Sequence, residues 1–489
     1  MHVGKRVGWA VVATLAAMLG VSPASAVEPA RSKSAHSKPA PASPTPANST
    51  PANPAPAVDD TQRLAVYRDF RTAFDARQYA QALPIAEKLV SLTEVQYGTE
   101  HAALLNPLSN LGTVHFRLGN YAAAEVPYQR AVRIVEARGG GADRQLILPL
   151  QGLGETWYAA KEYAEAALAL KRAVDISRNL DGLFNVEQLP VLITLIDTYV
   201  ALDRKTDAEK EHQYAFRVAE SNYGSRDERM LGPIDRYARW FEYNGRYTSA
   251  RALHGRALQL AESIGGPGSL QTVTPLRGIA RTHYYEFLYG SEKEAAPTEN
   301  DPFAPSPIVN NQPHLNGDGE KALRMSVDAL TKHAPVNQLL RGETLIDLGD
   351  WFMVSGLGFK AQDTYRLAWL DLAAVQGTRR LAAPRQLIYR APIGSVARSR
   401  PSKPDEWDER EVEMSFSVTR AGAVLEPKLM KGEVPENMVK AIASALRKSV
   451  YAPRIEAGQA EDSTDVRFVE HMLVKKVAAP GTAKKSGAT

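Results

Sequence analysis

The chain of 489 residues contains no cysteine. Disulfide bonds, thiolate zinc sites, cysteine nucleophiles and a lipid-modified N-terminal cysteine are therefore excluded. Its formal net charge is only +4, and Lys5 and Arg6 near the start supply two of these charges. A nucleic-acid-binding protein usually concentrates basic residues on one face, which so small a net charge does not favour. We therefore predict no nucleic-acid partner.

Long apolar runs are scarce, and the one that stands out extends from Val7 to Val21. A basic pair precedes this run, and Ala24-Ser25-Ala26 follows it with the small-x-small form of a cleavage site. The run is short for a membrane-spanning helix, which needs about 20 apolar residues. We predict a Sec-type signal peptide over residues 1–26, cleaved after Ala26. The mature chain would then be periplasmic, in a bacterial cell envelope, without an integral membrane span. The alternative is an uncleaved leader that anchors the chain in the inner membrane.

Recognisable catalytic motifs are also lacking. The sequence has no P-loop, no Gly-x-Ser-x-Gly elbow and no His-Glu-x-x-His helix. His115 and His283 occupy a column of repeated aromatic residues, which favours packing over metal binding. We therefore predict no catalytic residue, no metal site and no cofactor. An envelope hydrolase that uses the loop around Phe303–His314 as a lid is a third hypothesis, although it has no nucleophile, base or metal set.

What the chain does contain is a repeat of 42 residues. Five successive segments share an alanine in their fourth position and a small or apolar residue seven positions later. The segments begin at Tyr79, Tyr121, Tyr163, Lys205 and Tyr247, and the alanines are Ala82, Ala124, Ala166, Ala208 and Ala250. Upstream, a second helix has the column Gly112, Gly154, Ile196, Ala238 and Ala280, followed three residues later by His115, Trp157, Tyr199, Phe241 and His283.

The two columns indicate paired helices. Antiparallel helices approach closely only where side chains are small, and helical periodicity places those positions on one face. Gly112 and Gly154 are expected to face the alanine column, while Gly119 and Gly245 supply left-handed turns between the helices. A single hairpin cannot bury its apolar face alone, so the hairpins must stack.

The segment LGTVHFRLGNYAAAEVPYQRA resembles the tetratricopeptide repeat, with its Leu-Gly, aromatic, Gly-x-Tyr and alanine positions. The period of 42 and the segment YGTEHAALLNPLSNLG are similar to the repeats of kinesin light chains. The resemblance implies a mainly α fold, a tetratricopeptide-type α-solenoid over residues 59–378. We count seven hairpins, the sixth interrupted by an inserted loop at about 290–319, with its second helix resuming at Glu320.

The flanking segments differ in composition. Residues 27–58 are rich in Pro, Ala and Ser and are predicted to be a disordered tether, and residues 478–489 a disordered tail. Residues 379–410 are predicted to be a linker. Alternating apolar and polar residues then predict strands on either side of an amphipathic helix that Pro435 begins, which gives a small α+β domain of β-β-α-β order over residues 411–477.

This C-terminal domain resembles that of TonB-type energy transducers. Val418, Gly422 and Val424 match the turn that precedes the helix in that family. Tyr451, Pro453 and Gly458 are similar to the element that opens its last strand. The resemblance implies an energy-transducer-like protein, anchored in the membrane by its N-terminal segment, as the alternative function.

The inner face of the array is the candidate site. In the family that the repeats resemble, the first helix of each hairpin lines a concave groove, and positions beside the glycine column contribute to it. Ser109 and Ile193 occupy two of these positions. The remaining groove residues are predicted to be Tyr67, Arg71, Asn110, Thr113, Gln151, Glu155, Tyr158, Asp197, Asp235, Arg239, Arg277, Arg281 and Tyr284. This groove is acidic from Glu155 to Asp235 and basic beyond, and would bind a protein or peptide of opposite charge. The leading hypothesis is a non-catalytic periplasmic scaffold or adaptor, whose C-terminal sheet engages a second partner by strand pairing.

Overall fold

The computed structural model describes residues 60–290, 317–398 and 404–476. These residues fall into two compact units, an N-terminal unit up to residue 233 and a C-terminal unit from residue 234. The predicted signal peptide, the tether, the tail, most of the inserted loop and the hydrolase lid lie outside the described residues.

The N-terminal unit consists of four helical hairpins. In each hairpin, the two helices pack against each other along their lengths. The helices are α1 (Asp60–Asp75), α2 (Tyr79–Tyr97), α3 (Leu105–Arg117), α4 (Tyr121–Gly139), α5 (Ile147–Ala159), α6 (Tyr163–Asp181), α7 (Leu189–Ala201) and α8 (Lys205–Tyr223). From α3 onward, first helices of 13 residues alternate with second helices of 19 residues. The predicted period is therefore present in the helix boundaries themselves.

A capping residue precedes the first helix of three hairpins in the N-terminal unit. Short 3-10 turns precede α3, α5 and α7, and a side chain accepts a hydrogen bond from the backbone N–H two residues later. The donor–acceptor distances are 3.2 Å at His101, 2.8 Å at Asp143 and 3.0 Å at Asn185. Such caps satisfy donors that a helix start leaves unpaired.

The small-residue columns are buried as predicted. Ala82, Ala124 and Ala166 are fully buried in the N-terminal unit, and Ala250 is fully buried in the C-terminal unit. A Cβ at Gly112 would lie 2.7 Å from the ring of Tyr128, one helical turn beyond Ala124. Gly112 therefore makes room for the ring of Tyr128 on the paired helix, and not only for the small side chain of Ala124.

The C-terminal unit continues the helical hairpins. Its helices are α9 (Leu231–Tyr243, which starts at the division between the units), α10 (Tyr247–Gly265), α11 (Val273–Tyr289), α12 (Gly317–Lys332), α13 (Gln338–Val354) and α14 (Gly358–Ala374). α11 and α12 pack together as the interrupted sixth hairpin, and α13 and α14 as the seventh. The prediction of a mainly α array of hairpins is confirmed.

A small β-rich region completes the C-terminal unit. Its elements are β1 (Arg385–Ile388), β2 (Trp407–Val418), β3 (Val424–Lys431), α15 (Glu436–Arg447), β4 (Val450–Ala452), β5 (Arg454–Glu456), β6 (Gln459–Glu461) and β7 (Ser463–Lys475). The antiparallel sheet has the order β3-β2-β7, and β1 pairs with β4 and β5 with β6. Ile442 and Leu446 of α15 share a core with Met414 and Phe416 of β2.

The β-β-α-β order is therefore present in β2, β3, α15 and β7, with four further short strands that the sequence did not indicate. β1 lies inside the segment predicted as a linker. It is ordered there because its backbone pairs with β4 and because Leu387 is buried in the same core as Phe352 and Tyr365 of the last hairpin.

Candidate functional site

Four of the predicted groove residues of the first two hairpins are at least partly exposed, whereas Ser109 is buried. Tyr67 and Arg71 are exposed on α1, where Arg71 pairs with Asp75 at 3.3 Å. Asn110 and Thr113 are half-buried on α3. Polar side chains thus follow the same face of both first helices.

Thr113 is held by two hydrogen bonds. Its hydroxyl donates to the carbonyl oxygen of Ser109 at 2.8 Å and lies 2.8 Å from the hydroxyl of Tyr128. Burial raises the pKa of Tyr128 to about 12, so this phenol is neutral and available as a hydrogen-bond donor. Tyr128 comes from the second helix of the hairpin and was not among the predicted groove residues.

The middle of the N-terminal unit presents carboxylates and a phenol. Gln151 donates to Glu155 at 2.9 Å, and burial raises the pKa of Glu155 above its ordinary value despite that bond. Burial also raises the pKa of Tyr158 to about 12, and the charge of Asp197 adds to this effect. Glu155 and Tyr158 on α5 and Asp197 on α7 are half-buried side chains. This part of the predicted groove therefore contains two carboxyl groups, those of Glu155 and Asp197.

The predicted groove arginines of the C-terminal unit have acidic partners in the protein. Arg239 pairs with Asp235 at 2.7 Å on the same helix. Arg277 of α11 pairs with Asp347 of α13 at 2.6 Å. The basic stretch of the predicted groove is thus neutralised by carboxylates.

Arg281 belongs to a buried ionic cluster. It donates to Glu242 at 2.7 Å, and His254 lies 2.8 Å from the same carboxylate. Burial alone raises the pKa of Glu242, but the Arg281 charge and the His254 hydrogen bond lower it to about 2. Gly278 makes room for this cluster, since a Cβ there would lie 2.4 Å from the imidazole of His254. The arginine therefore stabilises a buried charge.

Tyr284 packs in the interior of the C-terminal unit. Its ring centroid lies 6.4 Å from that of Trp351, and it borders the core around Phe352 and Tyr365. Burial raises its pKa well above the ordinary value. Its position on α11 is the predicted one, but its environment is that of a core residue.

Sequence reasoning missed the partners of the groove residues. Glu242, Asp347 and Tyr128 lie outside the columns that define the groove. Tyr128 is on the paired helix of its hairpin, whereas Glu242 and Asp347 are on first helices of the neighbouring hairpins. One signal was available for Glu242, which directly follows the buried aromatic Phe241. A carboxylate next to a core position needs a cationic partner when it is buried.

Residues 71–137 match the tetratricopeptide repeat model. No curated protein matches the chain. Solved structures to which the chain is similar include kinesin-light-chain-like TPR repeats from Podospora anserina, at 16% identity over 42% of this chain and 98% of the other, with a TM-score of 0.39. The C-terminal part of a TPR protein from Cytophaga hutchinsonii shares 12% identity over 64% of this chain and 96% of its own, with a TM-score of 0.40. The quorum sensor NprR from B. thuringiensis shares 10% over 63% and 87%, with a TM-score of 0.36.

Within the described residues, no helix combines the length and the apolar character that crossing a bilayer requires.

Proposed function

We propose that this chain is a non-catalytic periplasmic scaffold or adaptor that holds a protein or peptide partner on the groove of its N-terminal unit. The observation that carries the proposal is the row of accessible polar side chains on successive first helices of a tetratricopeptide-like array. Thr113, Gln151, Glu155 and Asp197 are all half-buried there, with polar atoms on one helical face. A rigid row of this kind suits recognition of an extended or helical segment.

The N-terminal unit is favoured as the partner-binding surface because the groove arginines of the C-terminal unit are already bound to carboxylates of the protein. Arg277 and Arg281 are bound to Asp347 and Glu242, and exchanging those ion pairs for a partner would leave carboxylates uncompensated. Glu155 receives a hydrogen bond from the neutral Gln151. A partner with a cationic segment therefore complements the N-terminal groove.

The β-rich region offers a second contact. Residues 394–396 cover the outer edge of β7 near Met472, through backbone hydrogen bonds of 2.8 Å from Val396 to His471 and from Leu473 to Gly394. No strand among the described residues pairs with that edge from Ser463 to Val469. Strand β3, at the other side, contains Pro427, and its bulged pairing protects its edge. An extended segment of a second partner would therefore add to β7.

Site-specific photo-crosslinking in intact cells tests the groove. A benzoylphenylalanine in place of Tyr158 is expected to capture a discrete partner. The same residue in place of Leu168, which is 74% exposed on the second helix of that hairpin, is the matched control. Equal adducts at both positions, or none at Tyr158, would contradict groove binding.

The alternative is an energy-transducer-like protein whose leader remains as a membrane anchor. The β3-β2-β7 sheet with α15 across it, in the order of the resembled family, favours keeping this alternative. N-terminal sequencing of the exported protein separates the two. A chain that starts at Val27 has lost its anchor, whereas an intact leader in the membrane fraction supports the alternative.

A further inference from the structure

The N-terminal unit contains a cavity of about 510 Å³. It lies where the first turns of α3, α5 and α7 meet the second half of α6. Its floor is apolar and includes Leu105, Val174 and Val191, which are at most 8% exposed. A volume of this size is typical of ligand-binding pockets.

Carboxamides and one ion pair form the rim. The side chains of Asn106 and Gln151 line the cavity. Arg144 is also at the rim, and its guanidinium pairs with the carboxylate of Asp181. Glu187 is exposed beside them. Because the one cationic group is already neutralised, the cavity does not favour an anion, whereas carboxamides on an apolar pocket match the donors and acceptors of a peptide backbone.

Ser109 provides the second observation. The residue is only 5% exposed and lines the cavity, and its hydroxyl makes no hydrogen bond to a described residue but remains open to solvent through the cavity. By contrast, the hydroxyl of Thr113, one turn further along α3, donates to the carbonyl oxygen four residues earlier. A hydroxyl that faces only the cavity bonds to water there, so a molecule that displaces this water must itself supply a hydrogen-bond partner.

We infer that this cavity is an anchor subsite of the groove, which takes one apolar side chain of an extended peptide. The side chain rests on Leu105, Val174 and Val191, and the peptide backbone bonds to the Ser109 hydroxyl and to the Gln151 carboxamide. The inference rests on the proposed function, because Ser109 and Gln151 are groove positions. Beyond the proposed function, the inference specifies that the peptide carries an apolar anchor residue and that this residue binds in the cavity.

The probe is a phage-displayed library of random 12-residue peptides, selected against the full exported chain. Enriched peptides are then synthesised and their affinities measured by fluorescence polarisation. We expect them to share one Leu, Ile, Met or Val, whose replacement by Ala weakens binding by about tenfold, which corresponds to the loss of one buried side chain.

Two variants test the site on the protein. Ser109→Met extends into the cavity and is expected to weaken the same peptides by about tenfold, and Ser109→Ala by about threefold. Ser91→Met, at an exposed position of α2, is the matched control and should leave affinity unchanged. Melting temperature verifies the fold. If Ser109→Met does not fold, Ser109→Ala and the peptide replacements decide the matter.

Wild-type and Ser109→Met proteins that bind the peptides equally would overturn the subsite. The subsite would also be overturned if selections on wild-type and on Ser109→Met protein enriched the same peptides. Enriched peptides that share no apolar residue would overturn it too. The crosslinking experiment at position 158 tests binding to the groove independently of the cavity variants. A positive crosslink with a negative cavity test would therefore reject the subsite and retain the scaffold function.

Discussion

Arg385 in β1 donates hydrogen bonds of 2.7 and 2.6 Å to the two carboxylate oxygens of Asp350 in α13. The hydroxyl of Tyr365 in α14 donates to the same carboxylate at 2.6 Å. Leu387 and Ile455 from the β-rich region are buried with Phe352 and Tyr365 in one core. The β-rich region is therefore packed on the last helical hairpin, through an ionic bond surrounded by apolar side chains.

Asp350→Asn is expected to destabilise the C-terminal unit by about 3 kcal/mol, because it leaves the guanidinium of Arg385 without its counter-charge in a largely buried place. In a separate cycle with the wild type, the double variant Asp350→Leu with Arg385→Met should cost less than the sum of Asp350→Leu and Arg385→Met made singly. Urea unfolding of the four proteins, followed by tryptophan fluorescence, measures the coupling. Strict additivity would show that the pair contributes nothing to the packing of β1 on α13.

Ala166→Leu tests the small-residue column. Ala166 is fully buried where α6 meets its paired helix, so a larger side chain must displace its neighbours at a cost of about 1–3 kcal/mol. Ala164→Leu, at an exposed position two residues earlier on the same helix, is the control and should cost less than about 0.5 kcal/mol. Equal melting temperatures for the two variants would contradict helix packing at the column.

The helical array could be predicted because its cause is local and repeated. Ala82, Ala124 and Ala166 recur every 42 residues since every hairpin meets the same steric demand, and one sequence therefore shows the rule several times. The short strands β1, β4, β5 and β6 have no such redundancy. β1 has four residues, and its pairing with β4 depends on a segment more than 60 positions away.

The sequence could indicate where the groove residues lie on their helices, but not which of them form ion pairs within the protein. The columns beside Gly112 and Gly154 place Thr113, Gln151 and Glu155 on one face, and the structure places them there. The repeat columns could not show that Arg277 pairs with Asp347 and that Arg281 pairs with Glu242. Arg277 and Asp347 are 70 positions apart, and the inserted loop between them removes the period that would have aligned them.

His283 makes the stability of the C-terminal unit depend on pH. Burial, with the Arg251 charge nearby, lowers the pKa of His283 from 6.5 to about 4. The unfolded chain therefore binds a proton below pH 6.5 that the folded chain does not bind until about pH 4. Stability from this residue is complete above pH 6.5 and falls between pH 6.5 and 4, by roughly 3 kcal/mol.

In His283→Gln, the free energy of unfolding should decrease less between pH 6.5 and 4 than in the wild type. The difference in stability between the two proteins at pH 8 reflects lost packing alone. Urea midpoints at half-unit intervals from pH 8 to pH 4 measure both. The control is Thr331→Gln, at an exposed position without an ionisable side chain, which should leave the pH profile unchanged. A wild-type profile without a decline between pH 6.5 and 4 would contradict the low pKa of His283.

The turns between paired helices use one backbone conformation with different residues. The φ angle is 77° at Gly119, 67° at Lys161 and 58° at Asp203, all in the left-handed region. Only glycine adopts this region without a steric cost, which is about 1 kcal/mol or more for other residues. The same turn is therefore unstrained at Gly119 and strained at Lys161.

Reciprocal substitutions should consequently have opposite effects on the N-terminal unit. Gly119→Ala is expected to destabilise it by about 1 kcal/mol, although nothing lies within 4 Å of an added Cβ, because the backbone angle alone opposes the change. Lys161→Gly removes the strain but increases the freedom of the unfolded chain, which leaves a net gain of at most about 1 kcal/mol. Lys161→Ala separates the lost side chain from the backbone effect. Thermal unfolding in which Lys161→Gly is less stable than Lys161→Ala would show that the left-handed turn imposes no strain, and that side-chain contacts of Lys161 determine stability there.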